Sequence, residues 1–347
     1  MRRVVLIVTA LGGLVLAPLG AAFPEVPVLT SVRNEILPAA GTHEGGDGLL
    51  AFARSRSGKP NVYDAYLRRT TTTGTTVVKL NTRGRGFTGG IDSPRVAFQQ
   101  VVGNSSDIRI YNVDTGIRSN APGIVNSRAW EYGPTVSGNW LLFGRVMRGG
   151  ESILLANLQT RVRRTLARTS RRDTALFPGQ VAGNWVVYFR CRKGCTVFRY
   201  NISTGARVAL PKPAGTLNRV QYSPAVTSDG VVYLGRSGFG CGTSAKLVRF
   251  FGASDPAMGS VVARLPRGRD LIYSSARENG DGSVDVFYAR ARCAKNVRFD
   301  IYRVSDPDPS APPAASVSRD SSSSSTRARF SASGKKWPLR HPGKRSS

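Results

Sequence analysis

A period near 45 residues constrains this chain more than any other feature of its sequence, because a fixed repeat makes folding a matter of stacking equivalent units. The segments GPTVSGNWLLFGR (133–145), PGQVAGNWVVYFR (178–190) and SPAVTSDGVVYLGR (223–236) open on small residues, pass through S-G-N, A-G-N or S-D-G, and continue as an apolar strand bearing an aromatic residue. Phe143, Tyr188 and Tyr233 are 45 residues apart. Phe98 in SPRVAFQQ lies another 45 upstream, and Phe52 in DGLLAFAR lies 46 before that. Tyr288 in DGSVDVFYAR continues the series after 55 residues, with the excess placed in an insertion around 252–263.

Each repeat carries a second strand and a turn, as in DIRIYNVDTG (107–116), SILLANLQTR (152–161) and TVFRYNISTG (196–205), and more loosely in AKLVRFFG (245–252) and VRFDIYRV (297–304). Asn112, Asn157 and Asn201 precede their turns at the same offset, where an Asn side chain can bond the backbone of a tight reversal. With a short fourth strand such as RVALPKP, each repeat has the size of one four-stranded propeller blade. Such a blade has two apolar faces and is stable only between neighbours. The expected fold is therefore all-β, a six-bladed β-propeller. The sixth repeat runs out at Val304 without its fourth strand, and 24–34 (PEVPVLTSVRN) is the segment expected to supply it.

The 40% apolar content supports a large core and excludes wholesale disorder, despite a formal charge of +29. The expected organisation is a leader over 1–22, a propeller over 23–305 and a basic, Ser/Pro-rich disordered tail over 306–347. The leader begins with Arg2 and Arg3, continues as an apolar run and ends in small residues, the pattern of a cleaved secretory signal; an uncleaved membrane anchor is the other reading. Export to the periplasm, cell envelope or extracellular space follows, with no membrane span after signal removal and a monomeric state.

The pattern SPAVTSDGVVYLGR, followed by a strand and N-x-x-T-G, resembles the repeat of TolB-type six-bladed propellers, also found in the propeller domains of prolyl oligopeptidases. The resemblance covers roughly residues 35–305. It implies a scaffold or binding module, and it carries over no catalytic residue.

In an exported chain four cysteines are expected to be oxidised, and four allow three connectivities. Cys191 and Cys195 flank a hairpin turn, while Cys241 and Cys293 sit in the corresponding hairpins of two neighbouring repeats, so 191–195 with 241–293 is the favoured pairing. Catalytic residue types are sparse. The repeats hold only His43 as a candidate base, and Glu44, Asp47, Asp92, Glu131, Asp229, Asp281 and Asp285 occur at differing offsets that turn chemistry explains. No catalytic residue, metal site or cofactor is therefore assigned. Arginine does recur: Arg54, Arg145, Arg190 and Arg290 stand two positions past the anchoring aromatic, with Gln100 there in the second repeat and Arg236 one residue late in the fifth. They are candidates for a cationic rim that holds an anionic ligand, against the plainer reading that each pairs with a neighbouring blade or faces water. The expected function is non-catalytic binding of a protein partner or an anionic polymer, with nucleic acid engaged only through non-specific charge. The alternative is a carbohydrate-active or lactone-cleaving propeller enzyme with a channel metal.

Overall fold

The computed structural model describes residues 23–42, 46–170, 173–192, 194–211, 220–237, 245–252, 255, 259–266, 268–292, 298–307 and 309. The leader, His43, Glu44, Cys241, Cys293 and nearly all of the tail lie outside the described residues. Among those residues the chain is all-β, without an α-helix. β1 (Val26–Leu29) comes first. Antiparallel meanders follow: β2 (Glu35–Thr42), β3 (Gly48–Arg56), β4 (Lys59–Thr71) and β5 (Gly74–Lys79); β6 (Arg85–Asp92), β7 (Arg95–Val102), β8 (Ser105–Asn112) and β9 (Arg118–Asn120); β10 (Trp130–Ser137), β11 (Trp140–Met147), β12 (Gly150–Asn157) and β13 (Arg163–Thr169). Then come β14 (Ala175–Ala182), β15 (Trp185–Cys191), β16 (Cys195–Asn201) and β17 (Arg207–Ala209), and β18 (Val220–Val226), β19 (Val232–Ser237), β20 (Lys246–Phe250) and β21 (Ser260–Arg264). The chain ends in β22 (Arg269–Glu278), β23 (Val284–Arg292) and β24 (Arg298–Asp306). A single parallel bridge, Trp130 to Ser106, joins the second and third meanders into one eight-stranded sheet.

Local chemistry explains these meanders. Ser137 pairs with Trp140 and Ala182 with Trp185, so Gly138-Asn139 and Gly183-Asn184 are two-residue hairpin loops, with both glycines at positive φ (53° and 50°), as such loops require. At the same end of the sheets, in the turns that follow the third strands, Asn112 Oδ1 accepts hydrogen bonds from the backbone N–H groups of Asp114 and Thr115, and Asn157 and Asn201 repeat the arrangement. β1 pairs antiparallel with β24, so a segment at the start of the described chain supplies the outer strand of the last sheet. β24 itself runs through Asp306, which is fully buried and accepts hydrogen bonds from Tyr233 Oη (2.9 Å) and Arg249 Nη1 (2.7 Å). The first residue assigned to the tail is thus part of the last strand.

The repeated aromatics Phe52, Phe98, Phe143, Tyr188, Tyr233 and Tyr288 all lie on the second strand of a meander and are all buried. Burial of one such ring contributes on the order of 2–3 kcal/mol, so the set anchors the core. Every buried apolar cluster among the described residues draws on two successive meanders; one of them unites Leu50 and Phe52 with Phe287 and Ile301, from the first and the last. The first strands follow the same order: β2 packs beside β6, β6 beside β10, β10 beside β14, β14 beside β18, β18 beside β22, and β22 returns to β2.

Each of these first strands carries a register shift, a bulge that bends it and frees its inner edge. Glycine and proline interlock there. A Cβ on Gly89 would lie 1.9 Å from the Pro134 carbonyl oxygen, and one on Gly179 would lie 2.6 Å from that of Pro224. Neighbouring first strands approach so closely that only glycine fits. Gln180, on β14, exchanges two hydrogen bonds of 3.0 Å with the backbone of Ala276 on β22 and ties two non-consecutive meanders together.

Candidate functional site

The turns between first and second strands are chained to one another. Gly138 N donates to Asp92 Oδ2 (3.0 Å), Gly183 N to Ser137 Oγ (3.1 Å), and Ser228 N and Oγ both to Glu278 Oε1 (3.0 and 2.8 Å). These turns therefore form one face, and the antiparallel order puts the second-to-third strand turns and the loops entering each first strand on the opposite face. The two faces carry different charge. Asp47, Asp92, Asp229, Glu278 and Asp281 gather on the first face, where Arg69 pairs with Asp47 and Arg95 with Asp92 and Arg161 is exposed. Arg33, Lys59, Arg83, Arg128, Arg148 and Arg190 are exposed on the second, and among the described residues none of these six has a carboxylate partner. Near the second face Glu35, Asp64, Glu131 and Glu151 are buried, while Asp173 is exposed and paired with Arg192 at 2.8 Å.

The four recurrent arginines sit at the second-face ends of the second strands. Their surroundings differ. Arg54 lies opposite Glu35 in the β2–β3 ladder and pairs with it at 2.7 Å. Arg145 lies opposite Glu131 in the β10–β11 ladder; its Nε donates to Oε1 at 2.9 Å and its Nη2 to the Val125 carbonyl at 2.6 Å. Arg290 faces Leu271 across its ladder and reaches Glu25, just before β1, at 2.5 Å. Arg190 faces Leu176; it is exposed and lies over the Phe198 ring, 5.4 Å from the centroid. One face thus holds all four, three in ion pairs and Arg190 open to water. Burial pushes the Glu35 and Glu131 carboxyls above their ordinary range against the pull of their arginines, and burial lowers the Arg145 guanidinium.

The structure also gathers cations that the repeat pattern does not mark. A cleft of about 480 Å³ opens on the second face between the β1–β2 loop, the β3–β4 hairpin and the start of β24, lined by Arg33, Arg56, Lys59 and Arg298 together with Asn34, Ser55 and Ser57. Arg56 is held from behind: its Nε and Nη2 donate to Asp64 at 2.9 and 2.7 Å, and Nη2 also bonds the Gly84 carbonyl. Burial alone would raise the Asp64 carboxyl, but hydrogen bonds from Arg56, Asn81 and Lys79 outweigh it and bring the pKa down to about 2. The signal for this cleft in the sequence is the run RSRSGK (54–59), a cationic hairpin turn without an acid.

Cys191 and Cys195 form a disulfide across the β15–β16 hairpin, directly opposite each other in the ladder. Among the described residues no group of three His, Cys, Asp or Glu side chains is placed to hold a metal ion, and no helix is long and apolar enough to cross a membrane.

No family model matches the sequence, and no curated protein does. Solved structures do match. A protein of unknown function from Dyadobacter fermentans superposes with a TM-score of 0.56 at 12% identity, over 81% of this chain and 97% of its own. The putative TolB of Agrobacterium tumefaciens gives 0.50 at 13% identity, over 80% and 91%. The chain has a TolB-like β-propeller fold. TolB from Acinetobacter baumannii is 17% identical with a TM-score of 0.49; the match covers 75% of this chain and 64% of that one, so the propeller spans less than two thirds of that protein. At these identities the likeness is one of fold, and the propeller's chemistry has to be read from its own surface.

Proposed function

We propose that this chain is an exported propeller of six four-stranded blades, with β1 closing the last blade, that acts as a non-catalytic binding module for an anionic polymer in the cell envelope or extracellular space. Support for six blades comes from the six buried aromatics on second strands and from the cyclic order of first strands and core clusters. Support for export comes from the leader pattern and the Cys191–Cys195 disulfide.

One observation carries the binding reading, namely the charge difference between the two faces. Six exposed cations without carboxylate partners among the described residues share the second face, while Glu35, Asp64, Glu131 and Glu151 on that side are buried and the exposed Asp173 is paired with Arg192. A field of that kind attracts a polyanion and releases its counterions. If about five anionic groups are neutralised, affinity should fall about 100-fold between roughly 50 and 200 mM salt. The test is a salt titration of polyphosphate and heparin binding by the full chain, with neutral dextran as control. The triple charge reversal Arg83→Glu, Arg128→Glu, Arg148→Glu should abolish most of the binding. Salt-independent binding, or binding the triple variant retains in full, would overturn the face as the binding surface; the second result would assign the affinity to the basic tail.

A further inference from the structure

We propose that the cleft between the first and last meanders is a discrete subsite for a phosphate group, and that its occupant staples β1 against the rest of the molecule. The proposal rests on the reading of the second face as a polyanion surface and gives that surface a defined anchoring point.

Four cations line the cleft and no carboxylate does. They come from three distant parts of the chain: Arg33 from the β1–β2 loop, Arg56 and Lys59 from the β3–β4 hairpin, and Arg298 from the start of β24. Arg33 and Lys59 have no carboxylate partner among the described residues. Arg298 Nε stands 3.5 Å from Asp300 Oδ1, and neither of these atoms has a hydrogen-bond partner, so its charge is only weakly offset. Arg56 is fixed by Asp64 through Nε and Nη2, which leaves its Nη1 without a partner among the described residues. A guanidinium held in this way loses little freedom when it binds a ligand. The Ser55 hydroxyl accepts from Asn34 N at 3.0 Å and braces the loop against the hairpin, and the Ser57 hydroxyl adds a donor at the rim.

The ligand class follows from charge and geometry. Asp64 already offsets Arg56, which leaves Arg33, Lys59 and the weakly offset Arg298, more charge than a single carboxylate neutralises. A phosphate monoester, with up to two negative charges and three acceptor oxygens, meets guanidinium and ammonium donors from several directions at once. The cleft volume of about 480 Å³ accepts such a group together with the chain that carries it. Since the walls include both the loop leaving β1 and the first residue of β24, the site is complete only when those strands are paired. Occupancy therefore stabilises the pairing by mass action.

The test uses inorganic pyrophosphate as probe, at constant ionic strength, with calorimetric affinity and the thermal midpoint as readouts. The full chain should bind pyrophosphate at one strong site and gain thermal stability. Arg33→Gln/Lys59→Gln, two exposed positions whose loss leaves the ion pairs of the fold intact, should weaken that binding at least 10-fold and remove the thermal shift, while Arg128→Gln elsewhere on the same face should change neither. Equal pyrophosphate affinity in the double variant and the wild type overturns the subsite, even where polyphosphate still binds the face with its salt dependence. Pyrophosphate bound in the cleft without any polyphosphate binding upholds the subsite for a free phosphate compound and overturns the polymer reading. Polyphosphate binding at least 10-fold tighter than pyrophosphate, lost in part in both the double variant and the triple charge reversal, identifies the phosphate as polymer-borne.

Discussion

Replacing Arg145 with methionine should be among the most damaging single changes in the molecule. Arg145 and Glu131 are 6% and 0% exposed, and Glu131 Oε1 accepts from Arg145 Nε at 2.9 Å and from Ser127 Oγ at 2.6 Å, while its Oε2 has no partner. Methionine retains most of the volume beside the Phe143 ring but leaves a buried carboxylate with one hydroxyl for company. Removing one member of a buried pair costs about 3–5 kcal/mol, whereas replacing both members with apolar residues of similar size is often near neutral. Arg145→Met should thus lose about 3–5 kcal/mol at pH 7 in urea unfolding, and Glu131→Leu/Arg145→Met should recover most of the loss. The pH dependence has a definite sign. Burial already raises the Glu131 carboxyl, and loss of the guanidinium that pulls it down raises it further. A raised folded-state pKa contributes stability that is complete below the unfolded value and disappears as pH rises through the folded value. The gap between wild type and variant should therefore narrow between pH 7 and about 4.5, as the stranded carboxyl takes up a proton. A loss below about 1 kcal/mol at pH 7, or a gap of equal size at both pH values, would refute the assignment of Glu131 as a buried charge neutralised by Arg145.

Asp64 has the opposite sign: its folded pKa of about 2 lies below the ordinary 3.8, so it contributes about 2 kcal/mol that is present above pH 4 and lost as pH falls through 2, and Asp64→Asn should flatten that acid limb in a pH series of unfolding midpoints. Gly89→Ala places a Cβ 1.9 Å from the Pro134 carbonyl oxygen and should cost about 2–4 kcal/mol, whereas Gly103→Ala, at φ +57° with nothing within 4 Å, should cost only about 1 kcal/mol by chemical denaturation. Deleting 23–30 removes β1 and the Glu25 partner of Arg290 and bares the β24 edge; the product should melt lower and self-associate in light scattering, and a monomer with an unchanged midpoint would show that β1 is dispensable.

Most of the architecture was legible in the chain because it is written in local, repeated chemistry. The six aromatics mark the second strands, since a strand between two neighbours needs a large side chain at the same depth each time. Asn112, Asn157 and Asn201 mark turns because a single side chain bonds the backbone two and three residues on. The recurrence of Arg54, Arg145, Arg190 and Arg290 was equally visible, and so was their placement toward one face.

The fate of those arginines was not visible. Each stands at the same position of its strand, yet the residue opposite it differs in kind from one first strand to the next: Glu35, Glu131, Leu176 or Leu271. Arg290 finds its carboxylate in Glu25, 265 residues away, because β1 lies against β24. The cleft depends on the same event, since Arg33, Arg56, Lys59 and Arg298 have no common period or spacing and meet only where the first and last meanders come together. Turn chemistry, which acts over a few residues, and the recurring strand pattern let the sequence by itself determine strands and reversals. Which charges are neutralised and which remain open is a matter of contacts between segments far apart in the chain, and only the tertiary structure decided it.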